Sequence, residues 1–215
     1  MPEVDFTGFT GETARMRLRP YRLDDFTEFA DLHGREEVAR YLPWVTRDAA
    51  ASKAALERHL DLRLDKDGDG ITLAGIDKDT GRLVGEFVLF RRSLEHRGGE
   101  VGYVLHPDFQ GRGYATEGAR AMLQLAFETL HMHRVIARID ARNTGSAAVL
   151  ARLGMRHEAH LVENEWFKGE WGTEDDYALL ESEWASTSTS SAISWKITAP
   201  ASESASAEVS PPAKP

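Results

Sequence analysis

The sequence predicts a mixed α/β fold, in which a central, mostly antiparallel and splayed sheet of six to seven strands is flanked by about four helices. Three observations predict it. Runs of alternating or β-branched residues recur along the chain, a strand–loop–helix unit with two glycines lies near its middle, and a long amphipathic helix then leads to another strand. Because that helix forms a crossover, the strands on either side of it should be parallel.

The spacing of the apolar residues places the individual elements. Seven strands are expected, at residues 15–19, 71–76, 82–91, 100–105, 134–139, 157–167 and 174–184. Four helices are expected, beginning near residues 24–25, 46–48, 113–114 and 144–146. The second helix should extend to about Leu64, and a loop at 168–172 should join the last two strands. The three strands before the glycine loop should form an antiparallel meander, because their connections are short and polar.

Composition argues against several classes of protein. The 215 residues carry a formal net charge of -9, which disfavours nucleic-acid binding and suits a cationic partner such as an amine. The chain has no cysteine, so it has neither a disulfide nor a thiol nucleophile. No apolar run approaches the length of a membrane span, and the first residues lack a signal-peptide pattern, so we expect a cytoplasmic protein. The acidic turn at residues 65–70 lacks the glutamate that closes a calcium loop, so no metal site is predicted.

The composition also divides the chain into three parts. Residues 13–185 should form one domain, preceded by a flexible arm at residues 1–12. Residues 186–215 are rich in serine, alanine and proline and should be disordered, since they can bury little apolar surface. Within this tail Ile193, Trp195 and Ile197 alternate, which leaves open that they dock as a short strand.

The glycine loop between the central strand and the long helix is the most informative stretch. Gly111 and Gly113 allow the backbone to turn tightly and to approach a ligand closely. The first amides of the following helix have no acceptor within the helix, and the helix dipole makes their position positive. This loop therefore predicts a phosphate-binding site, with Arg112 available for a further charged contact.

Two common phosphate-binding motifs are absent from this loop. A Walker A loop would need Gly-Lys-Ser/Thr, and a dinucleotide fingerprint would need a third glycine where Thr116 stands. The stretch instead resembles motif A of the GCN5-related N-acetyltransferases, Gln/Arg-x-x-Gly-x-Gly/Ala, with Gln110, Gly113 and Ala115 at its fixed positions. The lead-in at 102–107 and the later Asn-Thr-Gly-Ser and Leu-Gly-Met resemble the RimJ/RimL-like branch of ribosomal-protein N-terminal acetyltransferases.

This resemblance implies acetyl-CoA as the cosubstrate and assigns roles by position. The matching cofactor-binding residues are Val104, Leu105, His106, Gln110, Gly111, Arg112, Gly113, Tyr114, Ala115, Thr116, Asn143 and Ser146. In the family a backbone N–H of the splayed central strand polarises the thioester, and Val104 and Leu105 are the matching positions, with Leu105 taken as catalytic. Ser146 is the candidate acid, although a helix cap is an equal interpretation, and Tyr114 is a weaker candidate.

The remaining roles concern the amine. Glu100, expected to face the site from the start of the central strand, is the candidate base, acting through water; a surface glutamate is the alternative. Tyr41 and Trp44 are candidates for a wall of the acceptor site or for a loop sealing the core. The resemblance implies direct transfer in a ternary complex to a protein N-terminus, or to a small amine such as a polyamine or aminoglycoside. The alternative is a non-catalytic acyl-CoA-binding or sensor module, and a homodimer is possible.

Overall fold

The computed structural model describes Phe6, residues 8–187 and residues 193–196, and within these residues it forms one open sheet of nine strands with six helices. The strands are β1 Thr10–Glu12, β2 Met16–Pro20, β3 Gly70–Asp77, β4 Leu83–Ser93, β5 Gly98–Leu105, β6 Arg134–Asp140, β7 Arg156–Phe167, β8 Glu170–Leu180 and β9 Ser194–Lys196. The helices are α1 Phe26–His33, α2 Glu36–Ala39, α3 Ala49–His59, α4 Tyr114–Gln124, α5 Thr144–Arg152 and α6 Glu181–Thr187.

The order of the strands is β7-β8-β6-β5-β4-β3-β2-β1-β9. Strands β3, β4 and β5 form the expected antiparallel meander, and β6 lies parallel to β5 after the crossover through α4. Both predictions are confirmed, as is the mixed, mostly antiparallel fold class. The helices cover both faces: α4 and α5 pack on the larger core, whereas α1 and α3 pack on a second cluster over β3 and β4.

The parallel pairing of β5 with β6 is short. It extends only from Gly98–Glu100 on β5 to Arg134–Ile136 on β6. Beyond these residues β5 continues to pair with β4, and β6 continues to pair with β8. The two strands therefore splay apart towards the end of β5, and the groups that would have completed the ladder face a gap.

The sheet is larger than predicted because both ends of the domain add a short strand. Residues 1–12 were expected to be an arm, but Thr10–Glu12 form β1, which pairs with β2 and β9. Trp195 of β9 stacks on the buried Phe9, with ring centroids 4.8 Å apart, and this apolar contact explains the docking. A Cβ on Gly11 would lie 2.3 Å from the Trp195 ring, so only glycine allows this approach. Ile197 and the residues that follow lie outside the described residues.

Three element boundaries also differ from the prediction. Helix α3 is capped by Asp48, whose carboxylate accepts the Ala51 N–H, but it ends at His59 rather than near Leu64. The last strand ends at Leu180, because Glu183 accepts the Leu180 N–H at 2.8 Å and the chain turns into α6. The loop between β7 and β8 is shorter than expected. Lys168 and Gly169 both have positive φ, as in a two-residue hairpin turn.

Within the described residues, no helix combines the length and the apolar character that crossing a bilayer would require.

Candidate active site

The gap between β5 and β6 opens into a cleft of about 630 Å³. It is bounded by α2, the end of β5, the glycine loop, the start of α4 and the first turns of α5. Most of the predicted site residues line it: Tyr41, Val104, Leu105, Gln110, Gly111, Gly113, Tyr114, Ala115, Thr116, Asn143 and Ser146. The fold therefore brings together residues that are more than a hundred positions apart in the sequence.

The glycine loop has the backbone geometry that its sequence predicts. Gly111 has φ 72° and Gly113 has φ 84°, a left-handed conformation that a residue with a Cβ adopts only with strain. Gly113 is the N-cap of α4, so the first amides of this helix point out of its end beside the cleft. Free amides at the positive end of a helix dipole are the arrangement that commonly binds phosphate in proteins.

A clamp of two residues that the sequence analysis missed holds this loop in place. Arg15 donates from Nη1 to the Arg112 carbonyl at 2.8 Å and from Nε to the Glu117 carboxylate at 2.7 Å. Glu117 also accepts the Thr13 hydroxyl at 2.6 Å, while the Arg15 guanidinium lies 4.2 Å from the Tyr114 ring centroid. The clamp joins the turn before β2 to α4 across 102 residues, so no local pattern could have revealed it.

The carboxylate of Glu117 makes this clamp sensitive to pH. Burial raises the pKa of Glu117, but hydrogen bonds from Thr13 and Arg15 outweigh burial and leave the pKa below its ordinary value. A carboxyl group whose pKa is lowered by folding stabilises the protein above its unfolded pKa. This contribution is lost as the pH falls through the folded value.

We therefore expect Glu117→Gln to lower the free energy of unfolding at neutral pH, and to matter progressively less as the pH falls below the unfolded pKa, near 4.5. Urea unfolding at neutral and at acidic pH measures the difference. Glu95→Gln, which alters an exposed carboxylate in the turn between β4 and β5, is the matched control and should change stability little. A Glu117→Gln effect that is the same at both pH values would contradict this role.

The start of α5 places Asn143 and Ser146 on the opposite side of the cleft. The cap was expected at Thr144 or Ser146, but Asn143 is the N-cap, and its side-chain oxygen accepts the Ser146 N–H at 3.0 Å. The Ser146 hydroxyl is therefore not the capping group, and Ser146 lines the cleft. Arg152, which the sequence analysis did not single out, also lines the cleft, and its Nε donates to the Thr116 hydroxyl at 3.4 Å.

The hydrogen-bond pattern of β5 separates Val104 from Leu105. His106 donates its N–H to the Val84 carbonyl on β4 at 2.9 Å. Since the backbone groups of an antiparallel ladder alternate, Val104 also directs its N–H towards β4, whereas Leu105 directs its N–H into the gap. The Leu105 carbonyl, which points the same way, accepts a hydrogen bond from the Gln110 side chain at 3.2 Å. Of the two predicted polarising groups, only the Leu105 N–H faces the cleft.

Glu100 does not have the expected position. It lies where β5 and β6 are still paired, opposite Ile136, and does not line the cleft. Its carboxylate accepts hydrogen bonds from Arg92 at 2.7 Å and from Arg138 at 3.0 Å. The side chain is turned towards these two arginines and not towards a bound amine, because the strands separate only after this residue.

Two further residues, His106 and Arg112, differ from the prediction, and Tyr114 fits its predicted place beside the cleft but not the role of acid. His106 is buried away from the cleft, with Nε2 2.9 Å from Asp31 and Nδ1 accepting the Asp108 N–H. Tyr114 borders the cleft, but its hydroxyl donates to Asp77 at 2.7 Å, and this hydrogen bond raises the pKa of Tyr114. It is therefore a poor candidate acid. Arg112 contributes its carbonyl to the clamp, and it does not line the cleft.

The two predicted acceptor residues have different surroundings. Tyr41 lines the cleft, together with Glu37 of α2. Trp44 packs on the second core cluster, 4.8 Å from His33 between ring centroids, and the Arg47 guanidinium lies 4.4 Å from its ring centroid. In the described part of the chain, no group of three or more histidine and carboxylate side chains could hold a metal ion.

Comparison with known proteins agrees with this geometry. Residues 15–156 match the family model described as an acetyltransferase (GNAT) domain. The chain is 29% identical over 172 residues to an uncharacterised N-acetyltransferase of Bacillus subtilis, YnaD. The aligned region covers 80% of this chain and 97% of that protein.

Two solved structures share the fold. A ribosomal-protein-S5-alanine acetyltransferase from Vibrio fischeri superposes with a TM-score of 0.69 at 21% identity, covering 81% of this chain and 98% of that one. A spermidine N-acetyltransferase from Vibrio cholerae, solved in complex with CoA and spermine, also gives 0.69, at 18% identity, and covers 80% of this chain and 99% of that one.

Proposed function

Because the chain belongs to the GNAT acetyltransferase family, with the RimJ/RimL-like relationship that its motifs predicted, we propose that it moves the acetyl group of acetyl-CoA directly to the amine of a protein N-terminus. The enzyme is an acetyl-CoA-dependent N-acetyltransferase; the acceptor and the direct route are the proposal. One observation carries it: the helix amides at Gly113, the Leu105 N–H and Ser146 all border one cleft.

The residues present fit coenzyme A. The amides at residues 111–115 would bind its diphosphate at the positive end of α4, and Arg152 would add a cation beside them. The gap between β5 and β6 would accept the pantetheine arm, because the backbone groups of β5 that face it lack a strand partner. Asn143 would orient the same arm through its free amide nitrogen, since its oxygen is engaged in capping α5.

The reaction has one developing negative charge and three proton transfers: the ammonium loses a proton before the attack, the attacking nitrogen loses a second proton after it, and the thiolate gains one. The amine nitrogen attacks the thioester carbon, and the oxyanion that forms would accept the Leu105 N–H. When the carbon–sulfur bond breaks, the thiolate would take a proton from the Ser146 hydroxyl, at the positive end of α5. The nitrogen of the new amide would give its extra proton, through water, back to the Ser146 oxygen, which restores the hydroxyl. The ammonium must lose a proton first, and water is the proposed acceptor because Glu100 is turned to Arg92 and Arg138.

Two observations bear on the acceptor. Glu37 is the acidic residue that lines the cleft, and its charge would attract an ammonium group of either kind of acceptor. The structural neighbours include enzymes named for a ribosomal protein and for spermidine, so a polyamine is the second candidate. The cytoplasmic location and the homodimer remain predictions.

A thiol-release assay with acetyl-CoA tests the proposal. We expect release of CoA with peptides that have a free N-terminus, slower release with spermidine, and none with the same peptides acetylated at the N-terminus. Faster turnover of spermidine would replace the first acceptor by the second. Binding of acetyl-CoA without turnover of any amine would favour the sensor module instead.

A further inference from the structure

A charged side chain is buried beneath the acceptor side of the cleft. Glu86 of β4 is 4% exposed, and it lies in register with Val104 of β5, which lines the cleft. Burial raises the pKa of Glu86, whereas the hydrogen bond from His33 and the positive charge of Arg47 lower it, and the lowering prevails. Glu86 is therefore ionised, and a buried carboxylate of this kind destabilises the fold unless it is hydrogen-bonded.

Its partners form a chain that leads to the surface. His33 places Nε2 3.1 Å from the Glu86 carboxylate and Nδ1 2.6 Å from Nη1 of Arg47, while the Tyr21 hydroxyl lies 3.3 Å from Glu86. A guanidinium can only donate, so Nδ1 of His33 must accept. The proton of a neutral His33 is therefore on Nε2 and is donated to Glu86. With both ring nitrogens engaged, His33 has no free nitrogen to serve as a base.

The outer end of the chain belongs to the segment that borders the cleft. Arg47 also donates its backbone N–H to the His33 carbonyl at 3.0 Å, and its guanidinium lies over Trp44. Tyr41 and Leu42, a few residues earlier in the same segment, line the cleft. His33 therefore ties residues 41–47 to the sheet by two hydrogen bonds from one arginine.

We propose that His33 is a positioning residue for the acceptor: Glu86 fixes its ring as the Nε2–H tautomer, and Nδ1 accepts from Arg47 and so holds residues 41–47 as a fixed wall of the acceptor site. Only the kinetic part of this inference, the effect on the KM for the acceptor, rests on the proposed function. The groups that face the His33–Arg47 hydrogen bond are Tyr21, His59 and Glu86. Burial lowers the pKa of His59, which keeps that ring neutral. The glycine loop lies on the other side of the cleft, so acetyl-CoA should bind normally without the His33–Arg47 hydrogen bond.

Two substitutions separate the two hydrogen bonds of the ring. His33→Asn retains an acceptor near the Nδ1 position, and His33→Gln retains a donor near the Nε2 position. We expect His33→Gln to speed hydrogen exchange of the amides of residues 41–47 about tenfold and to raise the KM for the acceptor about tenfold. Both factors correspond to the loss of one hydrogen bond to a charged group. His33→Asn should retain slow exchange and an acceptor KM near that of the unchanged protein.

The control is His96→Asn, at an exposed position in the turn between β4 and β5. In the two His33 variants and in this control, kcat and the KM for acetyl-CoA should not change. Unchanged exchange of residues 41–47 in a folded His33→Gln protein would overturn the proposal. Equal effects of Gln and Asn, with faster exchange throughout the domain, would also overturn it and leave a purely structural role. Because hydrogen exchange needs no acceptor, a failure of the proposed function would appear only in the kinetics.

Discussion

Replacing Gly113 by valine should weaken the binding of coenzyme A by about fivefold to thirtyfold. A β-branched residue in the left-handed region costs about 1–2 kcal/mol, and a difference of about 1.4 kcal/mol changes an equilibrium constant tenfold. The ideal Cβ at Gly113 would lie 3.5 Å from the nearest atom, a nitrogen of Arg15, so the effect comes mainly from the backbone and not from a clash. To relieve the strain the loop must rotate its amides away from the cleft.

Calorimetric titration with coenzyme A measures this effect, and Gly68→Val is the matched control. Gly68 also has a positive φ of 91° with no atom within 4 Å of its ideal Cβ, and it lies in the loop before β3, away from the cleft. Both variants should lose similar stability, but only the Gly113 variant should lose affinity. Equal affinity of the two variants for coenzyme A would mean that the diphosphate is bound elsewhere.

Replacing Ser146 by alanine should lower kcat by about 10²–10⁴, the usual contribution of a positioned acid or base, with little change in the affinity for coenzyme A. The substitution removes only the hydroxyl. The cap of α5 uses the Ser146 N–H and the Asn143 side chain, and both remain. The expected loss therefore reflects chemistry at the sulfur and not a disordered helix.

Single-turnover measurement of thiol release separates this step from product release. Thr144→Ala is the control, since Thr144 is an exposed residue of the same helical turn that does not line the cleft. Its kcat should stay within about twofold of the unchanged protein. If the Ser146 variant turns over as fast as the control, the proton for the thiolate comes from water or from another group.

Local patterns were sufficient to predict the longer strands and helices and the backbone geometry of the glycine loop. The meander and the parallel β5–β6 pair follow from connection lengths, and the left-handed backbone at Gly111 and Gly113 follows from the identity of these residues. The two short strands at one end of the sheet were harder to predict. Strands β1 and β9 contain three residues each, and their pairing depends on the contact between Phe9 and Trp195, which are distant in the sequence.

The sequence by itself determined the fold class and the left-handed backbone of the glycine loop, because these depend on patterns and residue types within a few positions along the chain. Only the tertiary structure decided which backbone N–H faces the cleft, where the Glu100 carboxylate turns and what holds the glycine loop. Those outcomes depend on strand register and on contacts such as Arg15–Glu117 and His33–Glu86, whose partners are distant in the sequence. In these cases the packing around a side chain determines its role, and its position in a motif does not.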